Sequence, residues 1–121
     1  TIRQMCGDDI DVYSGNDDQI VPILSLGGKG VISVLSNVAP RQTHDICRLW
    51  FEGKAQESLE LQLKLLPLVH ALFCEVNPIP VKEAMNQLGF PAGPCRLPLV
   101  PVSEVHRQLI HDELQAAGLL K

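Results

Sequence analysis

The chain has 121 residues, of which 45% are hydrophobic and 20% are charged, so it can fold around one modest core and need not be disordered. Its net charge is −4 and its ten basic residues are scattered without a run of Lys or Arg, which argues against nucleic acid as a partner. Lys64, Pro67 and His70 interrupt the longest apolar stretches, and the first residues do not form a signal peptide, so we expect a soluble cytoplasmic protein without a membrane partner.

The first predicted element is the tail of a helix at Ile2–Met5, which suggests that the chain is a fragment of a longer protein. Asp11–Ser14 is a short β-type run that ends at a Gly-Asn-Asp-Asp turn, where glycine permits a sharp bend and Asn or Asp can cap a helix. That helix is predicted over Asp17–Leu26, where Pro22 falls within about the first turn. Val31–Leu35 is a continuous β-branched run, typical of a parallel-sheet strand covered on both faces. Two strand-turn-helix units in succession predict the α/β class for this first third.

The remainder of the chain is predicted to be helical, so that most residues lie in helices. The spacing of apolar residues predicts helices over Arg41–Phe51, ended by Gly53, about Ala55–Glu75, with a kink at Pro67, and Val81–Leu88, stopped at Gly89. A proline-rich loop over Pro91–Pro101 leads to a last helix with Ser103 as its N-cap, Val105, Leu109 and Leu114 facing inward, and Gly118 as its stop.

Cysteine and histidine spacings argue against a metal centre. The four cysteines are far apart in sequence, so we interpret Cys6, Cys47, Cys74 and Cys95 as reduced core thiols. No histidine lies four residues from another and no HExxH pattern occurs. The sequence therefore predicts no metal and no cofactor.

The segment from Leu26 to Pro40 contains three glycines beside Lys29, a combination that can cradle a phosphate. In a phosphate-binding loop the glycines follow a strand and precede a helix, so that backbone amides and the helix dipole face the phosphate. Here the order is reversed, and Gly30 stands where Ser or Thr would bind magnesium. The segment is predicted to be a structural turn, with Gly27 and Gly28 ending a helix.

The Ser14-Gly15 pair follows the first predicted strand. Binding residues of α/β folds lie at the carboxyl ends of parallel strands, and a glycine there lets a ligand approach the backbone closely. The residues alone leave open whether this is a ligand-facing turn or a plain turn. No serine lies in a GxSxG pattern, so a hydrolase triad is not predicted.

Four segments carry a family resemblance that covers nearly the whole chain. They are YSGND (Tyr13–Asp17), LGGKGVISVLSNVAPR (Leu26–Arg41), NPIPVKEAM (Asn77–Met85) and RLPLVPVSE (Arg96–Glu104). They resemble the C-terminal part of the 4-hydroxy-tetrahydrodipicolinate synthases, within the pyruvate-dependent class I aldolases that include N-acetylneuraminate lyase. The NPIPVK stretch is the one most specific for the synthases.

The resemblance implies a (β/α)8 TIM barrel of which this chain carries strands 7 and 8 with their helices over residues 1–53, followed by a C-terminal helical extension over residues 54–121. A complete barrel takes about 250 residues, so roughly the first half would be absent. In this family a lysine at the end of strand 6 forms a Schiff base with pyruvate, and an upstream tyrosine and threonines relay protons. Lys29 falls at the opposite end of strand 8 and the other lysines lie on or beside helices, so no catalytic residue is expected in this chain.

The resemblance also implies which residues of this chain meet the substrate. Gly15 matches the glycine of the family's SGDD turn beside pyruvate, and Ile32 matches the isoleucine that walls it. Asn16 replaces the usual first aspartate, so a charge at that position is lost. The expected function is a fragment of a lyase that condenses pyruvate with aspartate semialdehyde in lysine biosynthesis, inactive on its own.

Two alternatives remain open at this point. The chain could be a non-catalytic helical module that associates with itself through the stripe from Leu59 to Phe73, because a partial barrel leaves strand edges and apolar faces uncovered. It could also be part of a related sugar-acid aldolase, since the residues that recognise the aldehyde substrate in this family lie largely before Thr1. A homo-oligomer is expected because of the uncovered edges and faces.

Overall fold

The computed structural model describes residues 1–120, and within them helices surround one very short sheet. The elements are α1 (Ile2–Cys6), β1 (Tyr13–Ser14), α2 (Ile20–Ser25), β2 (Gly30–Val31), α3 (Pro40–Phe51), α4 (Ala55–Leu72), α5 (Ile79–Gln87) and α6 (Glu104–Ala116). Single 3-10 turns at Asp17–Gln19 and Leu35–Asn37 follow the two strands. This order confirms the predicted alternation of strands and helices in the first third and the helical remainder.

The two strands pair in parallel, with Tyr13 opposite Gly30 and Ser14 opposite Val31. The predicted strand over residues 31–35 was wrong in extent, because β2 ends at Val31 and Leu35 begins a 3-10 turn. The amides of Val34 and Leu35 donate to a side-chain carboxylate instead of to a neighbouring strand, which bends the chain away from the sheet. Burial on both faces was also wrong for Ile32, whose surface is 76% exposed.

The turn between α2 and β2 ends the helix as the glycines predicted. Gly27 has φ of +87°, and its amide donates to the carbonyl of Leu24. The amide of Gly28 reaches back to the carbonyl of Ile23 at 2.9 Å, which completes a Schellman motif. Lys29 follows this motif and lies at the amino end of β2, before its first paired residue.

The helices α3 and α4 form an antiparallel hairpin joined by residues 52–54. Ser58 is fully buried, and its hydroxyl donates to the carbonyl of Ile46 at 2.7 Å, so its small side chain lets the two helices approach closely. The apolar stripe predicted from Leu59 to Phe73 contains both buried and exposed residues in the structure. Leu72 lies in the core, whereas Leu63 and Phe73 are 54% and 44% exposed.

The proline-rich segment between α5 and α6 has no regular structure, as predicted, and α6 begins one residue after Ser103. The N-cap position of Ser103 is confirmed, but its hydroxyl donates to the Glu75 carboxylate at 2.7 Å and makes no bond to its own helix. The predicted inward position was wrong for Val105, which is 78% exposed, and Leu109 is also exposed. Ile110 and Leu114 are the α6 residues whose side chains are fully buried in the core, and the inward position predicted for Leu114 is thus confirmed.

One core runs through the whole described chain. It joins the residues of the strand region to those of the later helices, and its fully buried large side chains are Ile20, Leu35, Ile46, Leu68, Leu72, Ile110 and Leu114. The first 53 residues and the later helices are therefore packed against each other, and α4 contacts the turn that follows β1.

Candidate functional site

The two residues expected to meet a substrate lie at one edge of the sheet. Gly15 follows the last paired residue of β1, and Ile32 follows the last paired residue of β2. The amide of Ile32 donates to the carbonyl of Ser14 at 2.8 Å, which continues the parallel ladder to this point. Because the strands run in the same direction, both residues lie at the carboxyl edge, where α/β folds bind ligands.

Gly15 leaves open space at that edge. A Cβ atom added to Gly15 would meet no heavy atom within 4 Å, and its φ is not in the left-handed region. Its lack of a side chain therefore serves no turn geometry and leaves its backbone accessible. The side chain of Ile32, at the same edge, is exposed and apolar.

Asp17 fixes the position of these two residues relative to each other. It is only 2% exposed, and its Oδ2 atom accepts hydrogen bonds from the amides of Val34 and Leu35, both at 3.0 Å. The turn after β1 is thereby bound to the turn after β2. Its Oδ1 atom is buried without a hydrogen-bond partner in residues 1–120. Sequence reasoning considered Asp17 only as a helix cap and missed this role, although an acidic residue two positions after Gly15 is a usable signal.

Gln62 supports the same turn from α4. Its Oε1 atom accepts from the amide of Val21 at 2.7 Å, and its Nε2 atom donates to the carbonyl of Asp18 at 2.6 Å. Both groups belong to the first turns after Gly15, so a helix from the later part of the chain anchors the candidate site. A buried glutamine within an apolar stripe gave no signal of this long-range contact in the sequence.

The hydroxyl groups near the site are engaged in local hydrogen bonds. Ser14 is 3% exposed, and its hydroxyl donates to the carbonyl of Asn16 at 2.7 Å while accepting from the Asn16 amide at 3.2 Å. Ser36 donates to the carbonyl of Ser33, and Thr43 donates to the carbonyl of Ala39. These hydroxyls shape turns and a helix, and none pairs with a histidine that could activate it.

Each described lysine is placed away from this edge or bound elsewhere. Lys29 lies at the opposite end of β2, and Lys64 is exposed on α4. The ammonium of Lys82 donates to the carbonyl of Pro94 at 2.8 Å, and that of Lys54 lies 3.5 Å from the Glu52 carboxylate. Lys121 lies outside the described residues.

The most strongly perturbed carboxyl group is remote from the sheet, at the end of α4. The Oε1 atom of Glu75 lies 2.7 Å from Nδ1 of His106 and accepts from both the amide and the hydroxyl of Ser103. His106 first, and then Ser103, lower the pKa of Glu75 from its ordinary value of 4.5 to about 2. This hydrogen-bond cluster connects the segment after α4 to the start of α6, and we interpret its role as structural.

The cysteines are free thiols, but all four are only partly buried, so the prediction of reduced thiols holds and full core burial was wrong. Burial raises the pKa of the Cys47 thiol. Burial, and then the neighbouring Glu75 carboxylate, raise that of Cys74. Both thiols are therefore poor nucleophiles at neutral pH.

The described residues contain neither a metal-binding cluster nor a helix that could span a membrane. Within residues 1–120, no three side chains of His, Cys, Asp or Glu come close enough together to hold a metal ion. Among the same residues, none of the helices has the length and apolar character that crossing a bilayer requires.

Comparison with known proteins places these features in context. The sequence profile of the dihydrodipicolinate synthetase family matches residues 1–117. A 4-hydroxy-tetrahydrodipicolinate synthase from Lachnoclostridium phytofermentans is 55% identical over 119 residues, which is 98% of this chain and 40% of the relative. The chain thus spans about 40% of the length of the curated relatives it matches.

Solved structures agree with the sequence comparison. The crystal structure of dihydrodipicolinate synthase from Thermotoga maritima superposes with a TM-score of 0.93 at 49% identity and covers 97% of this chain and 40% of its own. A chloride-inhibited dihydrodipicolinate synthase from Acinetobacter baumannii, solved in complex with pyruvate, gives a TM-score of 0.91 at 35% identity over 98% of this chain and 40% of its own.

Proposed function

Because the chain belongs to the dihydrodipicolinate synthetase family, we propose that it forms the C-terminal part of a cytoplasmic lyase that condenses pyruvate with aspartate semialdehyde in lysine biosynthesis. The observation that carries the proposal is the meeting of Gly15 and Ile32 at the carboxyl edge of the parallel strands. The relatives' names and the pyruvate-bound structure from Acinetobacter baumannii support it.

The proposal assigns β1 and β2 to strands 7 and 8 of a (β/α)8 barrel, with residues 54–121 as the helical extension. The parallel pairing, and the helix that leads from β1 back to β2, support this assignment. In this arrangement α4 holds the turn that follows β1 through Gln62.

In the proposed site the backbone at Gly15 and the side chain of Ile32 wall the pyruvate. Pyruvate has a small methyl ketone and a carboxylate, so one close backbone approach and one apolar wall suit it. The role of Asp17 is positional, because it fixes the distance between the two turns without reaching the exposed edge. The Schiff-base lysine and the proton-relay residues that the family resemblance implies are not among the residues of this chain.

The test supplies the missing part from a relative. The chain is fused after the preceding segment of the Lachnoclostridium phytofermentans synthase, and pyruvate with sodium borohydride is used to trap a Schiff base. The chain alone should give no pyruvate adduct, whereas the fusion should give one on a lysine of the added segment and should consume aspartate semialdehyde. An adduct on a lysine of this chain would refute the proposal.

Variants of the fusion test the two named residues. Gly15→Ala and Ile32→Ala should raise the KM for pyruvate, because the first fills the open space and the second removes the wall. Val105→Ala, at a site equally exposed but far along the chain, is the matched control and should leave the KM unchanged. Unchanged values in both site variants would remove Gly15 and Ile32 from the pyruvate site.

Self-association is proposed as a property of the same chain. Several apolar residues around the sheet are exposed, among them Ile2, Met5 and Ile32, and the sheet formed by β1 and β2 has no third strand in residues 1–120. Surfaces of this kind favour association. Light scattering should report an oligomer, and a stable monomer would contradict this part of the proposal.

A further inference from the structure

A cavity of about 300 Å³ lies between α5, the proline-rich segment and α6. Its volume is at the lower end of the range for small-molecule sites. All the lining residues fall between Ile79 and Arg107, far along the chain from Gly15 and Ile32. The residues that supply polar groups are Lys82, Glu83 and Asn86 of α5, Cys95 of the proline-rich segment, and Arg107 of α6.

Side-chain hydrogen bonds hold the walls of this cavity in place. Lys82 donates to the carbonyl of Pro94 at 2.8 Å, and the Asn86 amide makes two hydrogen bonds to the backbone of Gly93, at 3.0 and 3.3 Å. At the far end of the segment, Ser103 is bound to Glu75 by its amide and its hydroxyl. These hydrogen bonds therefore hold the segment at both ends.

The charged groups of the cavity have unused hydrogen-bonding capacity. The guanidinium of Arg107 forms ion pairs of 3.7 Å with the carboxylates of both Glu83 and Glu104, and at that length it donates no hydrogen bond within residues 1–120. The ammonium of Lys82 has three donors and uses one of them for Pro94. One oxygen of Glu83 accepts from Gln87 at 3.0 Å, and its carboxylate can accept further bonds.

We propose that this cavity binds an acidic α-amino acid. Two cations and one carboxylate line it, and an acidic amino acid carries the complementary set of two carboxylates and one ammonium. Arg107 pairs with one carboxylate in the two-pronged manner that guanidinium favours, Lys82 with the other, and Glu83 with the ammonium. The site is independent of the proposed pyruvate site, because the two share no residue.

Isothermal titration calorimetry of the 121-residue chain with L-glutamate tests the proposal. Binding should be detected at millimolar concentrations or below, and L-lysine, glutarate and inorganic phosphate should each bind more weakly. Glutarate lacks the ammonium, lysine reverses the net charge, and phosphate reports a general anion site. Failure to bind L-glutamate, or equal binding of any of the three comparison compounds, would overturn the proposal.

Two variants distinguish the cavity from other surfaces. Arg107→Gln should weaken binding about tenfold or more, the usual loss for a hydrogen bond to a charged group. Lys64→Gln removes a similar charge from an exposed position on α4 and should leave binding unchanged. Circular dichroism checks that both variants fold, and equal affinities in the two would overturn the assignment to this cavity.

Cys95 supplies a second readout that needs no substitution. Cys95 is one of the residues that line the cavity, whereas Cys6 lies outside it. L-Glutamate should slow the alkylation of Cys95 by iodoacetamide and leave that of Cys6 unchanged, as resolved by peptide mass spectrometry. If Cys95 is alkylated at the same rate with and without saturating L-glutamate, the proposed location is wrong.

Discussion

One carboxylate oxygen of Asp17 lies 3.0 Å from the backbone nitrogen of Leu35, a residue 18 positions later in the chain. This hydrogen bond joins the turn that follows β1 to the turn that follows β2. The same oxygen also accepts from the amide of Val34. A single buried side chain thus links the segments that follow Gly15 and Ile32.

Replacing Asp17 by Ala should lower the free energy of unfolding by about 2 to 4 kcal/mol, since two amides lose a charged hydrogen-bond acceptor. Urea denaturation followed by circular dichroism measures the change. Asp18→Ala is the matched control, because Asp18 is the adjacent residue and is exposed, and it should change stability by less than about 0.5 kcal/mol. Similar losses in both variants would show that the hydrogen bonds of Asp17 are not the cause.

Replacing Gly28 by Ala should lower the free energy of unfolding by about 1 to 3 kcal/mol, the usual range for overpacking. A Cβ at this position would lie 2.6 Å from Cγ2 and 2.8 Å from the carbonyl oxygen of Ile23. Gly15→Ala, where the added methyl group meets nothing, should change stability by less than about 0.5 kcal/mol. Thermal denaturation compares the two, and equal shifts in Tm would contradict the steric argument.

Replacing Gln62 by Leu should destabilise the chain by about 1 to 3 kcal/mol, although the new side chain is apolar and of similar size. The buried amide of Val21 and the carbonyl of Asp18 would both lose their partner. The control is Gln56→Leu on the exposed surface of the same helix, where the amide bonds only to Glu60. A Gln62 variant as stable as the Gln56 variant would mean that the two hydrogen bonds of Gln62 contribute nothing to stability.

The hydrogen-bond cluster around Glu75 should make the free energy of unfolding depend on pH. The pKa of Glu75 is about 2 in the folded chain, below its ordinary value of 4.5, so the folded state prefers the charged carboxylate. Its contribution is therefore fully present above pH 4.5 and is lost as the pH falls toward 2. Glu75→Gln should be less stable than the parent at pH 7. This difference in stability should shrink and vanish as the pH falls from 4.5 toward 2.

Denaturation curves recorded across that pH range provide the measurement for Glu75. Glu113→Gln is the control, because the Glu113 side chain has no hydrogen bond or ion pair within residues 1–120. Its stability difference from the parent should not change with pH. A constant difference for the Glu75 variant would exclude the proposed linkage.

The helices were predictable because their signals are local. Apolar residues recur at helical spacing in α3 and α4, and Gly27, Gly53 and Gly89 each stand just beyond a helix end. Gly15 and Ile32 were assigned to one site through the family resemblance. The parallel pairing adds an independent reason, because it sets both residues at the same edge.

The errors arose where a distant residue decides the local structure. The segment predicted to continue the strand instead donates two amides to Asp17, and the hydroxyl of Ser103 donates to Glu75 instead of accepting from its own helix. The apolar periodicity predicted that Val105 faces the core, but in the structure this residue of the first turn of α6 faces solvent. Contacts such as that of Gln62 depend on how α4 lies against the earlier residues, which no local pattern encodes.

The short connection between α3 and α4 has a consequence for the order of folding. Pairing these helices closes a loop of residues 52–54, whereas the Val21–Gln62 hydrogen bond joins residues 41 positions apart. Loop closure costs more entropy as the loop lengthens, and local contacts form faster. We therefore expect the α3–α4 hairpin to gain amide protection first in pulsed hydrogen exchange, with the parallel strand pair docking onto it afterwards.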